Sequence, residues 1–176
     1  MRNKALEGVR VIDLTQFEAG TTTTEILAWL GADVIKVEKP GVGEQGRAAN
    51  REKPDRDAFY FILLNANKRS VTLNLRSAKG KEMFIDLLRN ADVLVENFGP
   101  GSMERLGFGP DEVMKINPKL VYGRIKGFAT GSPYENFLVL DAVGQAVGGS
   151  TAVTGESMDR QPVKPGPNMA DTGSGI

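Results

Sequence analysis

VRVIDLTQFEAGTTTTEILAWLGADVIKV, residues 9–37, decides the fold. Val9–Leu14 alternates and is β-branched, the pattern of a strand. A helix is expected from about Thr21, with Ile26, Leu27 and Leu30 on one face and Gly31 ending it. Asp33–Val37 is the next strand. A strand, a helix and a strand joined by short connections argue for a parallel sheet with a right-handed crossover.

Downstream the alternation continues after one interruption. Residues 39–57 are polar and rich in glycine and charge, a long loop of a length that in compact domains is often functional. Residues 57–67 read as a short helix carrying Phe59, Tyr60, Phe61, Leu63 and Leu64. Ser70–Leu75 is a third strand, Ser77–Asn90 a helix with Phe84, Leu87 and Leu88 on one stripe, and Ala91–Val95 a fourth strand. Pro110–Ile116 opens a helix at a favoured proline position behind Gly109, and Leu120–Ile125 is a fifth strand. From Gly127 onward Gly, Ser, Thr and Pro dominate, apart from an apolar stretch at Phe137–Val147. The expected class is α/β, with ligands at the carboxyl ends of the strands. Asp171–Ile176 reads as the first turn of a helix with nothing after it, so a truncated chain is expected.

Composition narrows the chemistry. In 176 residues, 40% apolar and 25% charged, Lys and Arg total 22 and so do Asp and Glu. That balance describes an ordinary globular chain and argues against a nucleic-acid partner. No apolar run approaches the ~20 residues of a membrane span. Met1–Lys4 lacks the apolar core of a signal peptide, so a cytoplasmic location is expected. There is no Cys and no His. Disulfides, thiolate metal sites, cysteine nucleophiles and imidazole bases are thereby excluded, and no metal is expected. A carboxylate nucleophile fits this limit, because with a pKa of ~4 it is ionised without a base.

Four local motifs each admit a structural and a functional reading. Gly41-Val-Gly43-Glu-Gln-Gly46 fits G-x-G-x-x-G but follows the second strand, where a dinucleotide fingerprint follows the first, so a flexible loop is the better reading. Asn65-Ala-Asn67-Lys68-Arg69 is either a solvated turn or a basic contact for a phosphate, to which Lys36, Lys39 and Arg105 would add. Glu96-Asn-Phe-Gly-Pro-Gly101 is either a tight turn or a ligand-binding corner at the end of the fourth strand. Asp171, behind Pro165-Gly-Pro-Asn168, reads on its own as a helix cap.

Taken in order, several segments resemble the class III (CaiB/BaiF-type) CoA-transferase family, and within it the formyl-CoA transferases. They are Leu6–Asp13, Leu30–Glu38, Asn67–Ser70 with Leu73 and Leu75, Ala91–Gly101 with Arg105, Lys126-Gly127-Phe128, and Asp171. The resemblance covers essentially the whole chain. It implies a Rossmann-like parallel sheet flanked by helices, residues 1–176 forming the N-terminal portion of one coenzyme A-binding domain, and an interlocked homodimer. It implies ping-pong transfer of coenzyme A from an acyl-CoA to a carboxylic acid. Asp171 would be the nucleophile, forming a mixed anhydride and then an aspartyl-CoA thioester. Leu73 and Leu75 would bracket adenine, Lys39, Arg76 and Arg105 would contact the nucleotide end, and Asn97, Phe98 and Gly99 would line the pantetheine path. Gln16, Glu18, Ala19, Leu138 and Leu140 would surround the reacting acyl group.

This sequence departs from that pattern at the acyl end. Glu18 stands where the formyl-CoA enzymes carry glutamine, and a second carboxylate beside Asp171 would repel incoming acids or demand a proton. Leu140 replaces a tyrosine and Leu138 a lysine, which implies a less polar acyl group than oxalyl or formyl. Family members are much longer. Two alternatives remain: a non-catalytic coenzyme A-binding or dimerising fragment, and an α-methylacyl-CoA racemase, whose histidine this chain lacks.

Overall fold

The computed structural model describes residues 4–157 and 159–176. Met1–Asn3, the start of the segment read above as lacking a leader, lie outside the described residues. Five strands, β1 (Arg10–Asp13), β2 (Asp33–Glu38), β3 (Arg69–Thr72), β4 (Val93–Glu96) and β5 (Val121–Arg124), form one sheet in the order β3-β2-β1-β4-β5. Every pairing is parallel, with Ile12 opposite Ile35 on one side and Leu94 on the other. The expected Rossmann-like α/β architecture is therefore what the chain forms.

Such a sheet is covered on both faces, so its central strands bury apolar side chains on each. Consecutive residues serve opposite faces. Val11, Val34 and Val95 pack with Ala28 and Leu27 of α1 (Ala19–Trp29). Ile12 and Leu94 pack with Phe84 and Leu88 of α3 (Ala78–Arg89) and Val113 of α5 (Pro110–Ile116). Phe84 and Phe108 meet edge to face at 4.7 Å in that second layer.

The helices between and after these are short: α2 (Phe59–Leu64), α4 (Ser102–Leu106), α6 (Asp141–Val147) and α7 (Met169–Gly175). α1 begins at Ala19, two residues before the expected start, because the Thr22 hydroxyl and N–H both reach back to Glu18 O at 2.8 and 2.9 Å. β3 begins at Arg69 and ends at Thr72, earlier than expected, since its register is set by pairing with Ile35–Glu38. α7 lies against α1 through Gly175, where a Cβ would collide with Ala19 O and the Thr22 side chain. No helix among the described residues is long and apolar enough to cross a membrane.

The basic turn before β3 takes neither course suggested by sequence. Lys68 is buried and ion-paired with Asp13 at 3.1 Å, and its ammonium also donates to Asn65 Oδ1 at 2.9 Å. Lys36 is buried too, 3.7 Å from the same carboxylate, and donates to Thr15 O at 2.8 Å. These cations hold the end of β1 and do not face a ligand. Arg69 pairs with Asp33 at the surface.

The glycine loop after β2 is likewise pinned, not flexible. Buried Glu38 accepts a fork of two bonds from Arg47, each 2.7 Å, together with the Glu44 N–H and the Ser70 hydroxyl. Although burial opposes ionisation, those donors lower the Glu38 pKa to about 2. Gly43, at φ +70°, leaves room for the Arg47 side chain, which a Cβ would meet at 2.7 Å.

Asp13 carries the charge that balances two buried lysines. Removing one partner of a buried ion pair costs about 3–5 kcal/mol, so Asp13→Asn is expected to lower unfolding free energy by that order in urea titrations. Burial works against the ionised Asp13, but Lys36, Lys68 and the two threonines outweigh it and lower its pKa. The stabilisation is thus present at neutral pH and lost as pH falls below about 4, and the Asn variant should lack that acid-limb loss.

Candidate active site

Strand order reverses between β1 and β4, because the chain moves out through β2 and β3 and then returns to the other side of β1. The carboxyl ends of those two strands form the crevice where open α/β sheets bind ligands. Asn97, just after β4, and Gln16, just after β1, exchange bonds across it. The Gln16 N–H donates to Asn97 Oδ1, and Asn97 Nδ2 donates to Gln16 O, both at 2.8 Å. Glu96, fully buried, fixes the corner that follows by accepting from the Phe98 N–H at 2.7 Å. Lys126 neutralises Glu96 at 2.7 Å and also donates to Phe98 O at 2.6 Å. The 96–101 segment is therefore both a tight turn and a wall of the crevice.

On one side of this bridge lies a cleft of about 610 Å³. Leu73 and Leu75 form its apolar wall, and Lys39, Arg76 and Arg105 stand exposed around it. Arg105 extends from α4, its guanidinium donating to Ser102 Oγ at 2.9 Å. An apolar slot edged by these cations and by Lys81 suits a flat ring with attached anionic groups. On the other side lies a second cleft of about 650 Å³, lined by Glu18, Ala19, Gly99, Leu138, Leu140 and Asp171. Gln16, Phe98 and Ser102 line both, and Asn97 lines the second, so the two clefts adjoin along the Gln16–Phe98 wall. Every residue to which the family resemblance gave a site role is on one or both of them, whereas Lys36, Lys68 and Arg69 of the suggested basic contact are on neither.

Asp171 is in the first turn of α7, where Asn168 occupies the cap position read from sequence for Asp171. Its carboxylate receives no hydrogen bond among the described residues. Half-burial, then the charges of Asp141 and Glu18, push its pKa up to about 6 against a smaller opposing effect of Lys164. Asp171 is thus mainly ionised at pH 7 and unshielded by donors, a combination suited to a nucleophile.

Glu18 is held from three sides. Asn168 Nδ2 donates to it at 2.7 Å, Thr172 Oγ1 at 2.6 Å and the Tyr60 hydroxyl at 3.4 Å. Burial and the neighbouring Glu18, Asp171 and Glu44 charges push the Tyr60 hydroxyl pKa up, so it remains a neutral donor. Asp141, at the start of α6, accepts the N–H groups of Ala170 at 3.0 Å and Asp171 at 3.4 Å. Sequence reasoning missed Tyr60, Asp141, Lys164 and Asn168 as site residues. Tyr60 was counted only for its apolar ring, and the others stand in a stretch with no periodicity to mark them.

The profile of CoA-transferase family III matches residues 6–176. A formyl-CoA:oxalate CoA-transferase of Streptomyces coelicolor is 49% identical over 176 residues, covering all of this chain and 42% of that protein. One from Bradyrhizobium sp. (strain ORS 278) is 48% identical over 173 residues, 98% of this chain and 40% of its own length. The crystal structure of a CaiB/BaiF family protein from Brucella suis superposes with a TM-score of 0.89 at 37% identity, over 97% of this chain and 46% of that one. A hypothetical protein from Mycobacterium tuberculosis gives 0.87 at 36%, over 98% and 46%. This chain spans about two fifths of the length of the curated relatives it matches.

A raised carboxyl pKa destabilises the folded state at neutral pH. Relative to the ordinary aspartate value of 3.8, folding must ionise Asp171 against a pKa of about 6, so its cost is absent below pH 3.8 and full above pH 6. Asp171→Asn is therefore expected to raise the thermal midpoint at pH 7.5, and the gain should vanish by about pH 4. Melting curves across that range check it.

Proposed function

Since this chain belongs to CoA-transferase family III, we propose that it supplies the coenzyme A-binding half-site and the Asp171 nucleophile of a transferase moving CoA from an acyl-CoA to a carboxylic acid. The observation that carries this reading is the unpaired Asp171 carboxylate in a cleft that adjoins the Leu73–Leu75 slot along Phe98. Adenine fits the slot, Lys39, Arg76 and Arg105 take the phosphates, and the pantetheine arm runs along Asn97, Phe98 and Gly99 towards Asp171.

In this reading an Asp171 oxygen attacks the thioester carbonyl. The C–S bond breaks, CoA leaves as the thiolate, and a mixed anhydride remains. The thiolate then attacks the Asp171 carbonyl carbon, releasing the donor acid as its carboxylate and leaving an aspartyl-CoA thioester. The acceptor carboxylate reverses both steps and restores Asp171. Charge and protons balance without an external base, which agrees with a site free of histidine.

The acyl end favours an apolar monocarboxylate. Leu138 and Leu140 stand exposed on its wall, beside Glu18 and Asp171. Lys126, on the same wall, is tied to Glu96 and Phe98 O. A second carboxylate on the acyl group, as in oxalyl, would thus meet two acids and no unengaged cation. Oxalate is accordingly a poor fit to this acyl end. Homodimerisation and a cytoplasmic location complete the proposal. The first follows from the family resemblance and from large apolar side chains left at the surface, among them Trp29, Phe59 and Leu63.

Calorimetric titration with CoA tests the reading. Saturable one-site binding is expected, weakened about tenfold in Arg105→Ala by loss of one charged contact. Butyryl-CoA should bind more tightly than oxalyl-CoA. No saturation, or an unaffected Arg105→Ala variant, would contradict the assigned nucleotide end, and a reversed acyl order would contradict the apolar assignment.

A further inference from the structure

Lys164 lies in the irregular segment before α7, in neither cleft and outside every motif read from the sequence. Its ammonium is 2.9 Å from Asp141 Oδ2. The other oxygen of Asp141 accepts the N–H groups of Ala170 and Asp171, so Lys164 holds the acid that holds the first turn of α7. The same ammonium donates to Asn168 Oδ1 at 3.2 Å and to the carbonyls of Pro165 and Pro167 at 3.2 and 3.5 Å. Asn168 in turn donates its Nδ2 to Glu18, whose other oxygen accepts from Thr172, next in the chain to Asp171. One cation thus closes a ring through Asp141 on one side and Asn168 and Glu18 on the other, and Asp171 stands within it.

We propose that Lys164 is a positioning residue for Asp171, fixing the two acids that flank it and tempering their charge. The identification of Asp171 as nucleophile rests on the preceding reading; the ring itself does not. Two negative groups held at fixed positions beside a third discourage its ionisation. Without a compensating cation, the repulsion would protonate Asp171 in the neutral range and leave fewer molecules able to attack. The charged and titratable groups facing Asp171 are Glu18 before α1, Tyr60 on α2, Asp141 on α6 and Lys164 before α7. Lys126 after β5 lines the same cleft but is engaged by Glu96. Lys164 lowers the Asp171 pKa that Asp141 and Glu18 raise.

The test is a carbon-13 carboxyl titration of aspartate-labelled chain, without ligand, so that its outcome is independent of CoA binding. The wild-type Asp171 resonance, assigned with Asp171→Asn, is expected to titrate at about 6. In Lys164→Gln its midpoint should rise by roughly half a unit or more, and Lys164→Arg, which keeps the charge, should return it towards wild type. Lys164→Met, neutral with a similar stem, stands in if the Gln variant does not fold. An Asp171 midpoint unmoved or lowered in the neutral variants would overturn the proposal, even where thermal stability falls, because a purely structural tie would lower stability without raising that midpoint.

Discussion

The exchange of hydrogen bonds between Gln16 and Asn97 is the contact on which the arrangement of this molecule turns. Both residues lie past the ends of their strands, where backbone groups leave the sheet ladder and need partners. By satisfying each other, they join the end of β1 to the end of β4 at the place where strand order reverses. Each leads directly into chemistry: Gln16 into Phe17, Glu18 and the start of α1, Asn97 into Phe98 and Gly99. The bridge therefore sets the distance between the walls of both clefts.

Beneath that bridge the sheet uses buried charge instead of apolar packing. Asp13 with Lys36 and Lys68, and Glu96 with Lys126 and Arg124, sit at the ends of the two strands that flank the switch. Buried ion pairs seldom add net stability over an apolar core, but they fix geometry because every donor and acceptor has one position that satisfies it. Here they hold backbone carbonyls: Lys36 holds Thr15 O and Lys126 holds Phe98 O. A rigid floor lets the clefts above it be open and lets Asp171 carry an unfavourable charge.

Much of this was legible in the sequence, for identifiable reasons. The Val9–Val37 unit announced a parallel sheet because a strand, a helix and a strand joined by short connections can close only as a crossover. The cap reading of Asp171 missed by three residues, because Asn168 takes the cap and Asp171 falls in the first turn behind it. The short helices α4 and α6 were not legible, since neither opens on the proline that marked α5 or on a side-chain cap. Lys68 looked solvated because its partner, Asp13, is remote in sequence. The Thr172–Glu18 bond spans 154 residues, and the tie from Lys164 to Asp141 crosses a segment of glycine and proline without periodicity. Pairings of that kind are set by the fold and leave no local pattern.

The central claim is that the two adjoining clefts form one coenzyme A path ending at Asp171. A crystal structure of this chain with CoA bound tests it most directly. The account predicts adenine between Leu73 and Leu75, phosphates on Lys39 and Arg105, and the thiol beside the Asp171 carboxylate. Adenine seated elsewhere, or a thiol directed away from Asp171 with the nucleotide correctly placed, would contradict it.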